Sequence, residues 1–117
     1  MYKALYISPM IPSYDMEVTG NFFCELLGFE KVFDSGSYAI YEKNHLTIHI
    51  LPAGQNIGQM EFYLEVDDVN KIWESIRTKI EGLKVRPPFD QPYRMRELHI
   101  EIPHTKTLLF IGQSIRG

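Results

Sequence analysis

The chain is poor in the features that mark secreted, membrane-embedded and nucleic-acid-binding proteins. It has one cysteine, Cys24, among 117 residues, so no internal disulfide can form, and a disulfide scaffold and a cysteine-rich zinc module are both excluded. Cys24 lies in an apolar, helix-like stretch and reads as a packing residue. No apolar run approaches the roughly 20 residues of a membrane span. The N-terminus lacks the basic-then-apolar layout of a signal peptide, so a cytoplasmic location is expected. The formal charge is −3, with lysine and arginine scattered rather than clustered, which gives nucleic acid no electrostatic foothold. There is no glycine-rich phosphate loop and no Gly-x-Ser-x-Gly elbow, so neither phosphate-loop chemistry nor a hydrolase nucleophile is indicated.

What is present begins with a composition that is 44% hydrophobic and 23% charged, a balance that supports a globular core in one ordinary domain. Within it, one pattern occurs twice. An apolar stretch runs to Asp15, continues as a helix-like segment and leaves through Gly28-Phe29-Glu30-Lys31-Val32; a second runs to Asp67-Asp68 and leaves through Gly82-Leu83-Lys84-Val85. The copies lie about half a chain apart. Two similar modules are expected, the first over about residues 1–53 and the second over about 58–117.

Each module reads β-α-β-β-β. In the first, Tyr2 to Met10 suits a strand, Asp15 an N-cap, and Val18, Phe22 and Leu26 one face of a helix stopped by Gly28. Phe29–Phe33, Tyr38–Glu42 and Leu46–Leu51 follow as short strands. In the second, Met60, Phe62, Leu64 and Val66 alternate with Glu61, Tyr63 and Glu65, the period of a half-buried strand. Val69, Ile72, Trp73, Ile76 and Ile80 mark a helix that ends before Gly82. Leu98, Ile100 and Ile102 alternate with Glu97, His99 and Glu101, and Thr107–Ile111 is the last strand. The proline-rich segment Arg86–Arg96 is expected to be a functional loop. His45 and His104 fall in turns, where solvation is the simpler reading.

The order of these elements, together with Leu27-Gly28-Phe29-Glu30 leaving the first helix and Leu64-Glu65-Val66-Asp67-Asp68-Val69 entering the second, resembles the vicinal oxygen chelate superfamily. This group includes glyoxalases, extradiol dioxygenases and bleomycin-resistance proteins. The resemblance spans almost the whole chain and implies an α+β fold in which two paired βαβββ modules form a curved mixed sheet with a concave ligand cleft. It also implies four metal-ligand positions, which fall here on Ser8, His49, Glu61 and Leu109. Serine is a poor ligand and leucine is none, so the usual metal site is damaged.

Two functions from different classes follow. By strand alternation Glu97, His99 and Glu101 share a face with His49 and Glu61, and carboxylates with nearby rings favour a cationic, partly aromatic ligand. Ser8-Pro9, Ile11-Pro12, Asp15, Thr19 and Phe22-Phe23 are similar to the opening of bleomycin-resistance proteins. That likeness implies a homodimer that sequesters a small molecule without a metal or other cofactor. The ligand-binding residues expected are Ser8, Tyr38, His49, Glu61, Tyr63, Tyr93, Glu97, His99 and Glu101, with the loop Arg86–Arg96 closing over the ligand. The alternative is a metal-dependent lyase, isomerase or dioxygenase, with His49, Glu61 and His99 holding iron, manganese, nickel or zinc.

Overall fold

A computed structural model describes residues 1–115. Its elements are strand β1 (Met10–Ser13), helix α1 (Met16–Asn21) with a π-helical turn over Phe22–Leu26, then β2 (Glu30–Asp34), β3 (Ala39–Lys43), β4 (Leu46–Pro52), β5 (Met60–Glu65), α2 (Val69–Ile76), β6 (Val85–Gln91), β7 (Met95–Glu101) and β8 (Thr107–Ser114). The strands form two four-stranded sheets with matching topology, β1-β4-β3-β2 and β5-β8-β7-β6. In both, the first strand pairs parallel with the last and the remaining pairs are antiparallel. The repeated β-α-β-β-β reading therefore holds, and the fold is α+β. Among the described residues the two sheets remain separate hydrogen-bonded units rather than one continuous sheet. No helix of the described residues is long and apolar enough to cross a membrane.

Each sheet buries one face under its helix. Ile11, Ile48 and Ile50 of the first sheet and Leu98, Ile100, Leu109 and Ile111 of the second are almost fully buried, as are Phe23, Val69 and Ile76 from the helical segments. The helices start where carboxylates cap them: Asp15 accepts from the Val18 backbone N–H and Asp68 from that of Lys71, satisfying donors that a helix leaves unpaired at its N-terminus. Helix α2 is further anchored by its first N–H, on Val69, which donates to Gln113 Oε1 of β8 at 2.6 Å. The change from α to π geometry falls where two consecutive aromatics, Phe22 and Phe23, are both buried. Neighbours on an α-helix point about 100° apart, so burying both beds this turn deep in the core. The modules are tied at one end, where Tyr14 N donates to His104 O at 2.8 Å and Thr19 Oγ1 to Pro103 O at 2.9 Å.

Four sequence expectations are corrected. Residues 2–9 form no strand; regular pairing begins at Met10. Pro9 has no N–H to give to a ladder, and the Ser8 side chain, not its backbone, donates to Thr47 O at 2.8 Å. The chain preceding it departs as an arm on which Tyr2, Leu5, Tyr6 and Ile7 are all strongly exposed. The segment Arg86–Arg96 is mostly strand: β6 and the start of β7 form a hairpin, and Pro87-Pro88 sits in a register shift between Arg86 and Phe89. An edge strand tolerates proline there because the missing donor faces no neighbour. Helix α2 stops at Ile76, a turn short of Ile80. Leu109 points to the helices and is fully buried, so it does not belong to the ligand face.

Candidate functional site

Strand alternation leaves each sheet one helix-free face. On the second sheet, register sets the residues in rows. Tyr63 of β5 lies beside Phe110 of β8, which lies beside His99 of β7, which lies beside Arg86 of β6; the next row is Glu65, Gly112, Glu97 and Phe89. Glu61 and Glu101 flank Leu108 in the row before. The backbone brings Glu61, Glu97, His99 and Glu101 to one face, with Tyr63 among them, but His49, expected beside them, lies on the other sheet.

Rings dominate this face. His99 stacks on Phe110 with centroids 3.8 Å apart and planes 23° from parallel, while Phe89 meets the His99 ring edge-on at 5.1 Å. The Arg86 guanidinium lies 3.5 Å from the Phe89 centroid, a cation–π contact. Tyr63 covers Gly112 closely: a Cβ there would come within 2.7 Å of the Tyr63 ring and 2.8 Å of its hydroxyl oxygen. Glycine is what lets the ring lie down on the sheet. Burial, aided by its hydrogen bond to Glu65, pushes the Tyr63 phenol up to about 12.

Glu97 is the hub of the polar groups. The residue is 3% exposed. It accepts from Tyr93 Oη at 2.8 Å on Oε2, and from Gln91 Nε2 at 3.2 Å and His99 Nε2 at 2.9 Å on Oε1. Burial works to raise its pKa, but the hydrogen bonds from His99, Tyr93 and Gln91 outweigh it and hold the carboxyl below its ordinary value. Tyr93, at the hairpin tip, is raised in turn by its bond to Glu97. Glu101 lies 3.9 Å from Lys84 Nζ, and Glu61 is exposed without a partner among the described residues.

The first sheet is built in parallel. His49 of β4 lies between Met10 of β1 and Ile40 of β3, and its Nδ1 shares a hydrogen bond with Tyr38 Oη. Ser8 accepts from Thr47 Oγ1 at 2.8 Å while donating to Thr47 O, so its hydroxyl is engaged in holding the root of the arm. By register, the counterpart of His49 in the second module is Phe110, where the sequence reading had Leu109.

His49 therefore belongs to one sheet, and Glu61 and His99 to the other. No three His, Cys, Asp or Glu side chains among the described residues are grouped so as to hold a metal ion, and the Nε2 of His99 is already committed to Glu97. The donor set within one protomer does not fit the divalent metal that the resemblance allows.

Phe110, Gly112 and Gln91 are the face residues that sequence reading missed. Thr107–Ile111 is almost uniformly apolar, so it carries no alternation from which to choose a face. Two hollows lie at the junction of the modules, where Glu65 borders one and Tyr63 the other. One of about 630 Å³ is lined by Leu26, Phe29, Leu46, Leu64 and Ile72; the other, of about 410 Å³, shares Phe29, Leu46 and Leu64 and reaches Tyr6 and Ile7 at the root of the arm.

No protein-family model and no curated protein matches the sequence. Solved structures do. A glyoxalase/bleomycin resistance protein/dioxygenase from Nocardioides is 15% identical with a TM-score of 0.76, covering 100% of this chain and 88% of its own. A bleomycin-binding protein from Streptomyces verticillus, solved with copper(II)-bleomycin, is 21% identical with a TM-score of 0.75, covering 95% of this chain and 97% of its own. A lactoylglutathione lyase from Agrobacterium tumefaciens is 14% identical with a TM-score of 0.76, covering 95% and 94%. At these identities the likeness establishes architecture, and the neighbours include binding proteins and an enzyme.

Proposed function

We propose that this chain, which has the glyoxalase/bleomycin-resistance/dioxygenase fold of the vicinal oxygen chelate superfamily, is a small-molecule binding protein that holds a cationic, partly aromatic ligand on the helix-free faces of its sheets, without a metal. The observation that carries the reading is the band of rings from Tyr63 through Phe110 and His99 to Phe89, bordered by the carboxylates of Glu61, Glu65 and Glu101. Rings stack on flat ligands, and carboxylates draw cations to them. The bleomycin-binding neighbour supports this class of ligand by analogy of fold alone.

A homodimer is part of the proposal. An arm exposing Tyr2, Leu5, Tyr6 and Ile7 is more apolar surface than a monomer ordinarily leaves bare. It runs from the apolar hollow at the module junction, and β5 is an edge strand whose outer side pairs with no strand among the described residues. A second copy meets these needs reciprocally, as twofold symmetry requires, and completes the groove with its other module.

Calorimetric titration with bleomycin, as a cationic aromatic probe, tests the ligand class. Glu61→Gln and Glu101→Gln together should weaken binding about 5- to 30-fold, on the order of 0.5–1 kcal/mol for each carboxylate. Affinity that does not change would reject the acidic face as the recognition surface.

A further inference from the structure

We infer that Glu97 locks His99 as a hydrogen-bond acceptor facing the ligand, so that the preferred ligand carries a planar N–H donor, such as a heteroaromatic N–H. This deepens the binding reading above and rests on it. The argument begins at Glu97. Its two oxygens take three hydrogen bonds, from Tyr93, Gln91 and His99. Tyr93 and Gln91 supply donors that favour the ionised carboxylate, and the resulting downward shift of its pKa agrees. An ionised carboxylate only accepts. In the hydrogen bond between Glu97 Oε1 and His99 Nε2, 2.9 Å long, the proton must therefore sit on Nε2.

In neutral imidazole that leaves Nδ1 with a lone pair. No protein group among the described residues bonds to Nδ1, and no buried side-chain nitrogen or oxygen lacks a partner. Nδ1 must then reach solvent. It does so on the helix-free face, since His99 alternates with the buried Leu98 and Ile100. The ring is not free to turn: Phe110 covers one face at 3.8 Å and Phe89 abuts it at 5.1 Å, itself backed by Arg86. What remains accessible is a fixed, in-plane acceptor on the same ring-lined face as Tyr63, with Phe110 between the two. An N–H in the plane of an aromatic ligand meets that geometry, whereas the neighbouring carboxylates disfavour an anion. Glu97 is thus a positioning residue, and His99 the residue that sets specificity.

Nitrogen-15 NMR of the histidine side chains, combined with titration of indole and N-methylindole, tests this. The two probes share a ring system and differ at the N–H. With the imidazole neutral, the wild-type protein should show His99 protonated on Nε2, and indole should shift its Nδ1 resonance while binding about 5- to 10-fold more tightly than N-methylindole. In Glu97→Gln the amide can donate to Nε2, so the His99 tautomers should mix and the preference should fall below about twofold. The wild-type tautomer needs no variant, so a misfolded Glu97→Gln protein does not blunt the test. Protonation of His99 on Nδ1, or equal binding of both probes on this face, overturns the proposal and leaves the binding reading standing. Failure of both probes to perturb Tyr63, Phe110 or His99 overturns the two together.

Discussion

Glu97 shows how far one residue's role departs from its type. The alternation with Leu98 and Ile100 identifies its face, but an acid on an open face reads as a contact for a cationic ligand. The hairpin between β6 and β7 instead brings Gln91 and Tyr93 back over it, and pairing across a hairpin depends on a turn and register that the sequence states only weakly. The consequence appears in acid. Because the folded-state pKa of Glu97 is below its unfolded value, its contribution to stability is fully present above about pH 4.3, the usual glutamate value, and is lost as pH falls through the lower folded value. Denaturant unfolding measured from pH 6 to pH 2 should therefore show an acid limb that Glu97→Gln makes shallower. An equally steep limb in the variant would assign the acid loss to other carboxylates.

At the scale of elements, the strands and both helix starts were readable because each has a local cause. Asp15 and the pair Asp67-Asp68 are capping residues followed by apolar periodicity; Asp15 caps as expected, and of the pair it is Asp68 that caps. Asp68→Ala should cost about 1 kcal/mol of stability, measurable as a lower denaturation midpoint, while a variant unchanged in stability would show the cap to be dispensable. The elements misread are those whose fate is decided by distant partners. Pro87-Pro88 argued for a loop, yet β6 needs only one hydrogen-bonded neighbour and takes the prolines in its bulge. Tyr2 to Ile7 has strand-like residues and finds no strand within its own protomer, a result that propensity cannot anticipate because β propensity describes fit to a surface provided by something else.

For the whole molecule, the internal repeat was the most legible property: two equal sheets with the same strand order follow from two copies of one pattern. How the modules meet was not legible, because the Tyr14–His104 and Thr19–Pro103 ties join the start of the first helix to a turn of the second module, with no sequence signature of partnership. The apolar hollow at their junction and the exposed arm beside it make assembly the property to measure at this scale. Analytical ultracentrifugation of the intact chain should give a dimer, and removal of residues 2–7 should give a folded monomer. A stable dimer without the arm would move the interface elsewhere.

The hydroxyl of Ser8, which gives its hydrogen to Thr47 and takes another from it, marks the last point at which the chain is held by its own sheet before Pro9 starts the ladder. In the proposed dimer that serine is where one subunit's lease on its own chain ends and the other's begins. Subunits would then trade partners no faster than the arms let go, and two populations purified apart would keep their ancestry for a time after mixing.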